Sequence, residues 1–118
     1  MHELAVCQGL MGQVEQIARR EHAQRVTRIV LRIGPLSGVE PQLLSDAYPI
    51  AAAGTVAEGA ELQIEPQPVR VRCLSCGEQS DATANRLLCG ACGDYRTRLV
   101  SGDELLLASV ELERRQHA

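Results

Sequence analysis

The sequence predicts an α+β fold: a small mixed β-sheet packed by two helices, with an inserted four-cysteine zinc-ribbon lobe. Three features predict it. One segment near the start repeats its apolar residues at helical spacing. Three later segments, 26–33, 61–65 and 104–113, alternate between two faces. Between the last two of these stand two C-x2-C pairs. The expected division is one domain from residues 1–68 and 99–118, and a ribbon from residues 69–98.

The elements follow in order. Leu4, Cys7, Leu10, Met11, Val14, Ile17 and Ala18 recur with the helical period and predict a helix from residue 4 to about 22. Gly9 and Gly12 weaken it by about 1 kcal/mol each against alanine. Glu3 stands at its start, where a carboxylate suits the helix dipole. Val26 to Ile33 reads as a strand, with Thr27, Ile29, Leu31 and Ile33 toward the core and Val26, Arg28, Val30 and Arg32 on a half-exposed face. Gly34-Pro35-Leu36-Ser37-Gly38 is a loop. Glu40-Pro41 opens a second helix, because the first helical position needs no N–H. Pro49 is expected to interrupt or kink that helix, and Gly54 to stop it. Glu61 to Glu65 alternates strictly. Val69 to Arg72 is extended, and 97–100 is expected to pair back against it. Glu104 to Glu113 is the longest strand signal, with Leu106, Ala108, Val110 and Leu112 on one face.

Cys73-Leu74-Ser75-Cys76-Gly77 and Cys89-Gly90-Ala91-Cys92-Gly93 form the most specific motif. Two residues between cysteines let one tight turn present both thiolates to one ion. Two such turns give a tetrahedral S4 site, the arrangement structural Zn(II) prefers, with mononuclear iron as the competitor. A thioredoxin-like redox pair needs one motif only and a different context. A metal here supplies folding energy to a segment with almost no core of its own.

The first three residues, Met1-His2-Glu3, carry a second chelating pattern. A free α-amine, the His2 backbone nitrogen once deprotonated, and the His2 imidazole bind one metal in adjacent small rings. The Glu3 backbone nitrogen is placed to add a fourth donor. Four nitrogens in a plane suit Ni(II) or Cu(II), not Zn(II). Histidine at position 2 is too large for the usual removal of the initiator methionine, so the hook is expected to stay intact. A histidine also falls at position 2 by chance, at an end that frays by default, so the pattern draws its weight from the rest of the chain.

Composition narrows the function. There is no Phe and no Trp, and Tyr48 and Tyr95 are the only aromatics, so the core is aliphatic. The formal charge is −3. Neither the basic excess nor the stacking aromatics of a nucleic-acid binder are present. No apolar run reaches the ~20 residues of a membrane span, and the start lacks a signal-peptide pattern. A cytoplasmic protein with reduced cysteines is expected. Cys7 lies on the apolar stripe of the first helix and reads as a buried, inert thiol. His22 suits a helix end and His117 a solvated tail. Nothing in the sequence assembles an enzyme's active site: there is no Walker motif and no Rossmann glycine pattern.

The N-terminal Met-His-Glu, the amphipathic helix, the strand ending in Gly34-Pro35-Leu36-Ser37-Gly38-Val39-Glu40 and the later C-x2-C-G pair together resemble the HypA/HybF family of hydrogenase nickel-incorporation proteins. The resemblance spans essentially the whole chain. It implies a small α/β nickel-binding domain with an inserted zinc ribbon, with Met1, His2 and Glu3 at the nickel site and Cys73, Cys76, Cys89 and Cys92 at the zinc site. It implies a metallochaperone, not an enzyme, that works with a partner GTPase and delivers Ni(II) to the large subunit of [NiFe]-hydrogenase, or in some members to urease. No nucleic acid and no membrane enter this reading, and a monomer or weak dimer is expected. Pro49 departs from the pattern, and no histidine adjoins the cysteine turns. The rival readings are a zinc-ribbon protein-interaction module and a nucleic-acid-binding ribbon, neither with a nickel role.

Overall fold

A computed structural model describes residues 2–114. Met1, expected to supply the hook's amine, and residues 115–118, including His117, lie outside the described residues. Two helices and six strands follow one another as α1 (Glu3–Arg20), β1 (Ala23–Ile33), α2 (Pro41–Ala52), β2 (Glu61–Pro66), β3 (Arg70–Cys73), β4 (Gln79–Asp81), β5 (Thr97–Ser101) and β6 (Leu105–Arg114). They build two three-stranded sheets, β2-β1-β6 and β4-β3-β5. The chain measures 62 × 29 × 17 Å, with a radius of gyration of 18.0 Å. A compact domain of this length would have about 13.5 Å, so the second sheet extends away from the first.

The first sheet is mixed: β1 runs parallel to β2 and antiparallel to β6. Both helices pack on one of its faces. α1 buries Cys7, Leu10, Met11, Val14 and Ala18, and α2 buries Leu44, Tyr48 and Ala52. They meet Val26, Ile29, Leu31 and Ile33 of β1, with Leu62, Ile64, Leu105, Leu107, Val110 and Leu112 half-buried around them. With no Phe or Trp, branched aliphatics fill this core, each fully buried one contributing about 1.5–3 kcal/mol.

Several sequence expectations shift. β1 begins at Ala23, and α1 ends at Arg20. His22 is therefore in the turn, with φ +54°, not on the helix. Val26 faces the core, because Thr27 is an extra residue in the β1–β6 ladder: Val26 pairs with Leu112, and Arg28 with Glu111. A second bulge falls on β6. Val30 pairs with Ser109 and Leu31 with Leu107, which leaves Ala108 over. One extra residue flips the alternation. Leu105 and Leu107 thus point in on one side of the bulge and Val110 and Leu112 on the other, while Leu106, expected on one face with Val110 and Leu112, is exposed.

Pro49 does not interrupt α2, which runs on to Ala52. Tyr48 and Ala52, on either side, are buried, and the Tyr48 hydroxyl donates to the Ala60 carbonyl at 3.2 Å. That anchoring offsets the backbone bond proline forfeits. The chain leaves the helix at Ala53, whose N–H bonds the Pro49 carbonyl; Gly54, the expected stop, follows with φ +76°.

The two sheets meet at a glycine contact. Gly34 N–H donates to Glu104 O at 2.9 Å and Leu36 N–H to Gly102 O at 2.7 Å. A Cβ on Gly34 would lie 2.1 Å from the Gly102 oxygen, so only glycine permits this approach. Gln67 N–H to Ile33 O, at 3.0 Å, ties the other linker to the end of β1. β4 is a further strand beyond those the sequence predicts; it pairs with β3 from Arg70↔Asp81 to Arg72↔Gln79.

Candidate functional site

Two groups of residues have metal-binding chemistry, one on the second sheet and one at the helix starts above the first. On the second sheet, β3 delivers Cys73 and the turn after it Cys76. The loop between β4 and β5 supplies Cys89 and Cys92. The four sulfurs all lie within 4.8 Å of one another, and Cys73–Cys92 and Cys76–Cys89 are each 3.6 Å apart. A tetrahedral ion with sulfur bonds of about 2.3 Å sets its ligands about 3.8 Å apart. The donor set fits such an ion.

Backbone geometry prepares the sulfurs as thiolates. Ser75 and Cys76 N–H groups point at the Cys73 sulfur at 3.3 and 3.4 Å, and Ala91 and Cys92 N–H groups at the Cys89 sulfur at 3.3 and 3.4 Å. The two knuckles are copies of one another. Cys89 is pulled down to about 6, first by the Cys92 N–H and then by that of Ala91. Cys92 is pushed up to about 12: the Asp94 N–H favours its charge, but the sulfur contacts and burial outweigh it. Such a set shares its protons among neighbouring sulfurs, and a divalent cation replaces them. Outside the sulfurs, Asp94 joins the knuckles. It accepts from the Ser75 hydroxyl in the first turn and from Arg96 Nη2 at 3.0 Å. Arg96, with Ser75 behind it, holds the Asp94 carboxyl well below the usual carboxylate range.

The second group lies where the two helices begin. His2 is the N-cap of α1, exposed, and its Nδ1 accepts from the Ala5 N–H at 3.4 Å. Glu3 is the first helical residue. Its Oε2 accepts from the Glu40 N–H at 3.4 Å, and Glu40, the N-cap of α2, accepts from the Gln42 N–H at 3.5 Å. Thus two helix N-termini, each with its positive dipole end, meet beside two carboxylates that balance them. Glu40 performs the helix-start duty its sequence position implies, and Glu3 docks α1 against it. That Glu3–Glu40 contact spans 37 positions, and no local pattern announces it. Cys7 offers neither group a ligand: it is buried, its sulfur donates to Leu44 O at 3.5 Å, and burial, followed by the nearby Glu3 charge, pushes the thiol up.

The family model described as hydrogenase/urease nickel incorporation, metallochaperone, HypA matches residues 1–112. The chain belongs to the HypA family. The hydrogenase maturation factor HypA of Nitrosospira multiformis is 54% identical over 112 residues, covering 95% of this chain and 97% of that protein. The Aquifex aeolicus protein of the same name is 42% identical over 113 residues, covering 96% and 98%. The solution structure of the nickel metallochaperone HypA from Helicobacter pylori superposes with a TM-score of 0.71 at 26% identity, over 98% of this chain and 100% of that one. HypA proteins are nickel-incorporation metallochaperones, not enzymes. No helix of the described residues is long and apolar enough to cross a membrane.

Proposed function

We propose that this HypA-family chain carries Ni(II) on its first three residues and hands it on during [NiFe]-hydrogenase maturation. The Met1 amine, the His2 backbone nitrogen and Nδ1, and the Glu3 backbone nitrogen are the donors in this reading. Residues 1–68 and 99–118 make up the nickel-carrying domain in this reading, with 99–101 completing β5 in the ribbon's sheet. Residues 69–98 form the ribbon, where Cys73, Cys76, Cys89 and Cys92 hold structural Zn(II). The partners are a maturation GTPase and the hydrogenase large subunit, in the cytoplasm, and the chain itself is a monomer or weak dimer.

One observation carries the nickel reading: His2 stands exposed as the cap of α1, its imidazole nitrogen held, among the described residues, by nothing stronger than the Ala5 N–H at 3.4 Å. The small-ring chelate needs that same Nδ1 lone pair. Releasing a cap of this kind costs about 1 kcal/mol, small against a chelate of several nitrogens. The Glu3 N–H is one of the first four helical donors, which have no intrahelical acceptor, so its deprotonation forfeits no helical bond. Exposure suits a cargo that must leave. Because amide and imidazole protons must depart, affinity rises with pH.

The test is a calorimetric and optical Ni(II) titration of the zinc-loaded chain with its native start. A version with one extra residue before Met1 and a His2→Ala variant run beside it. One planar-type Ni(II) per native chain, lost in both controls while zinc stays bound, supports the reading. Equal binding in all three removes the hook and leaves a zinc-ribbon interaction module.

A further inference from the structure

Independently of nickel, we infer that the outer face of the β3–β5 pair is a docking surface for an acidic protein segment that carries an aromatic or aliphatic anchor. The register builds this face. Arg72 is paired directly with Arg98, and Cys73 with Thr97. The Leu74 N–H bonds the Arg96 carbonyl at 2.9 Å, one step further along. Alternation turns Cys73 inward to the metal-binding sulfurs and leaves Arg72 and Leu74 on the opposite side. Arg72, Leu74, Tyr95, Arg96 and Arg98 are all exposed.

Two features, one on this face and one in the loop that leads through Arg96 into β5, have no structural use among the described residues. The first is the like-charged pair. Cross-strand partners of the same sign destabilise a sheet. Arg70 and Arg96 each have a carboxylate, Asp81 at 2.6 Å and Asp94 at 3.0 Å. Arg72 and Arg98 have none among the described residues. The second is Tyr95. The chain has two aromatic residues. Tyr48 is buried with its hydroxyl bonded, whereas Tyr95 is 77% exposed, and Leu74 is 59% exposed. Tyrosine and arginine together, around an aliphatic centre, are the residue types that carry binding energy at protein interfaces.

Charge selects the occupant. Residues 69–98 hold five arginines against three acids, while the rest of the chain holds seven arginines against twelve acids. Four thiolates around a divalent ion carry a net charge of about −2 and offset that excess of two, so the zinc-loaded ribbon is near neutral within an acidic protein. The charge a carboxylate-rich partner matches is local: the unpaired Arg72–Arg98 pair on the face away from the sulfurs. A single exposed tyrosine offers no stacking platform for successive bases, so a protein segment is favoured over a nucleic acid.

The experiment measures binding of the zinc-loaded full chain to three probes: a glutamate–tyrosine copolymer, poly-glutamate, and single-stranded DNA of similar charge. The copolymer is expected to bind most tightly and to weaken as salt is raised. Tyr95→Ala should weaken the copolymer by about tenfold and poly-glutamate little. The double variant Arg72→Glu/Arg98→Glu should weaken both, while Arg20→Glu, on the exposed side of α1, changes neither. Unaltered zinc stoichiometry confirms that each variant is folded. Absence of copolymer binding, binding indifferent to Tyr95 and to the arginine pair, or tighter binding of DNA overturns the proposal. None of these variants touches His2 or Glu3, so the nickel titration stands or falls separately.

Discussion

Glycine-to-alanine changes should have opposite signs at different places in this chain. At Gly34, the new Cβ would lie 2.1 Å from the Gly102 oxygen, 2.2 Å from its carbonyl carbon and 2.7 Å from Glu104 Oε1. Carbon–oxygen contacts tolerate about 3.3 Å, so the two backbone segments must part by roughly 1 Å. That movement breaks Gly34 N–Glu104 O and Leu36 N–Gly102 O, now 2.9 and 2.7 Å. Two hydrogen bonds and the strain of overpacking together cost about 2–6 kcal/mol, or a fall in Tm of about 10–25 °C for a chain of this size. At Gly9 and Gly12, on the exposed side of α1, a Cβ meets nothing within 4 Å. There alanine should stabilise by about 1 kcal/mol each, raising Tm by about 3–6 °C. Thermal unfolding of the zinc-loaded protein, followed by circular dichroism, reads all three. A Gly34→Ala variant within about 2 °C of the parent would refute the close approach. It would mean that the first loop and the 102–104 linker do not hold the two sheets together.

Leu44→Ala empties a fully buried site on the inner side of α2 and should cost about 2–5 kcal/mol in denaturant unfolding, with zinc stoichiometry unchanged because the four clustered cysteines lie on the other sheet. Thiol titration should proceed in stages: the zinc-loaded protein reacts slowly at every cysteine, a chelator frees the four clustered thiols, and only denaturant frees Cys7, buried with its thiol pushed up. Fast labelling of Cys7 in the native state would contradict its burial. Asp94→Asn should shift acid-induced zinc release to higher pH. The Asp94 carboxyl is held below the ordinary range, chiefly by Arg96 and then Ser75. Its stabilisation is therefore present above the ordinary carboxylate pKa of about 3.9 and is lost only as pH falls through the lowered value. Sulfur protonation, which releases the metal, occurs while Asp94 is still charged. A dye that reports free zinc during a pH titration reads the shift, and coincident curves for parent and variant would rule out the bridge between the knuckles.

The features legible in the sequence were those with a local cause. The apolar period of α1, the Glu40-Pro41 start of α2 and the spacing of the four cysteines each depend on neighbours within a turn or two. The misplaced features depend on the partner strand. Thr27 and Ala108 are ordinary strand residues by composition, yet each is the extra residue of a bulge, so the inward set changes parity at each. Nothing in Val26 or Leu106 alone says which way it points. β4 escaped for a related reason. Gln79-Ser80-Asp81 has no apolar signal. It is a strand because Arg70 bonds Asp81 across the ladder and because the Ser80 hydroxyl accepts from the Gly90 N–H at 2.9 Å.

The two candidate metal sites divide in the same way, and the division bears on how they would work. The cysteine site is written almost entirely in sequence, since each turn builds its own N–H donors around its own sulfur. Such a site closes around its ion and has no reason to release it. The His2–Glu3 segment has its donors in sequence, but its setting is tertiary. Glu3 reaches across to the Glu40 N–H, so the start of α1 is positioned by the start of α2, and α2 in turn follows the loop that Gly34 and Leu36 fasten to the 102–104 linker. A chelate formed there would draw its bonds from an exposed end and its position from the folded body. Weak capping at a fixed, open location is what a transferable ion requires; the four-sulfur site, although Cys76 and Cys92 are exposed, surrounds its ion with donors on every side and with N–H groups aimed at Cys73 and Cys89.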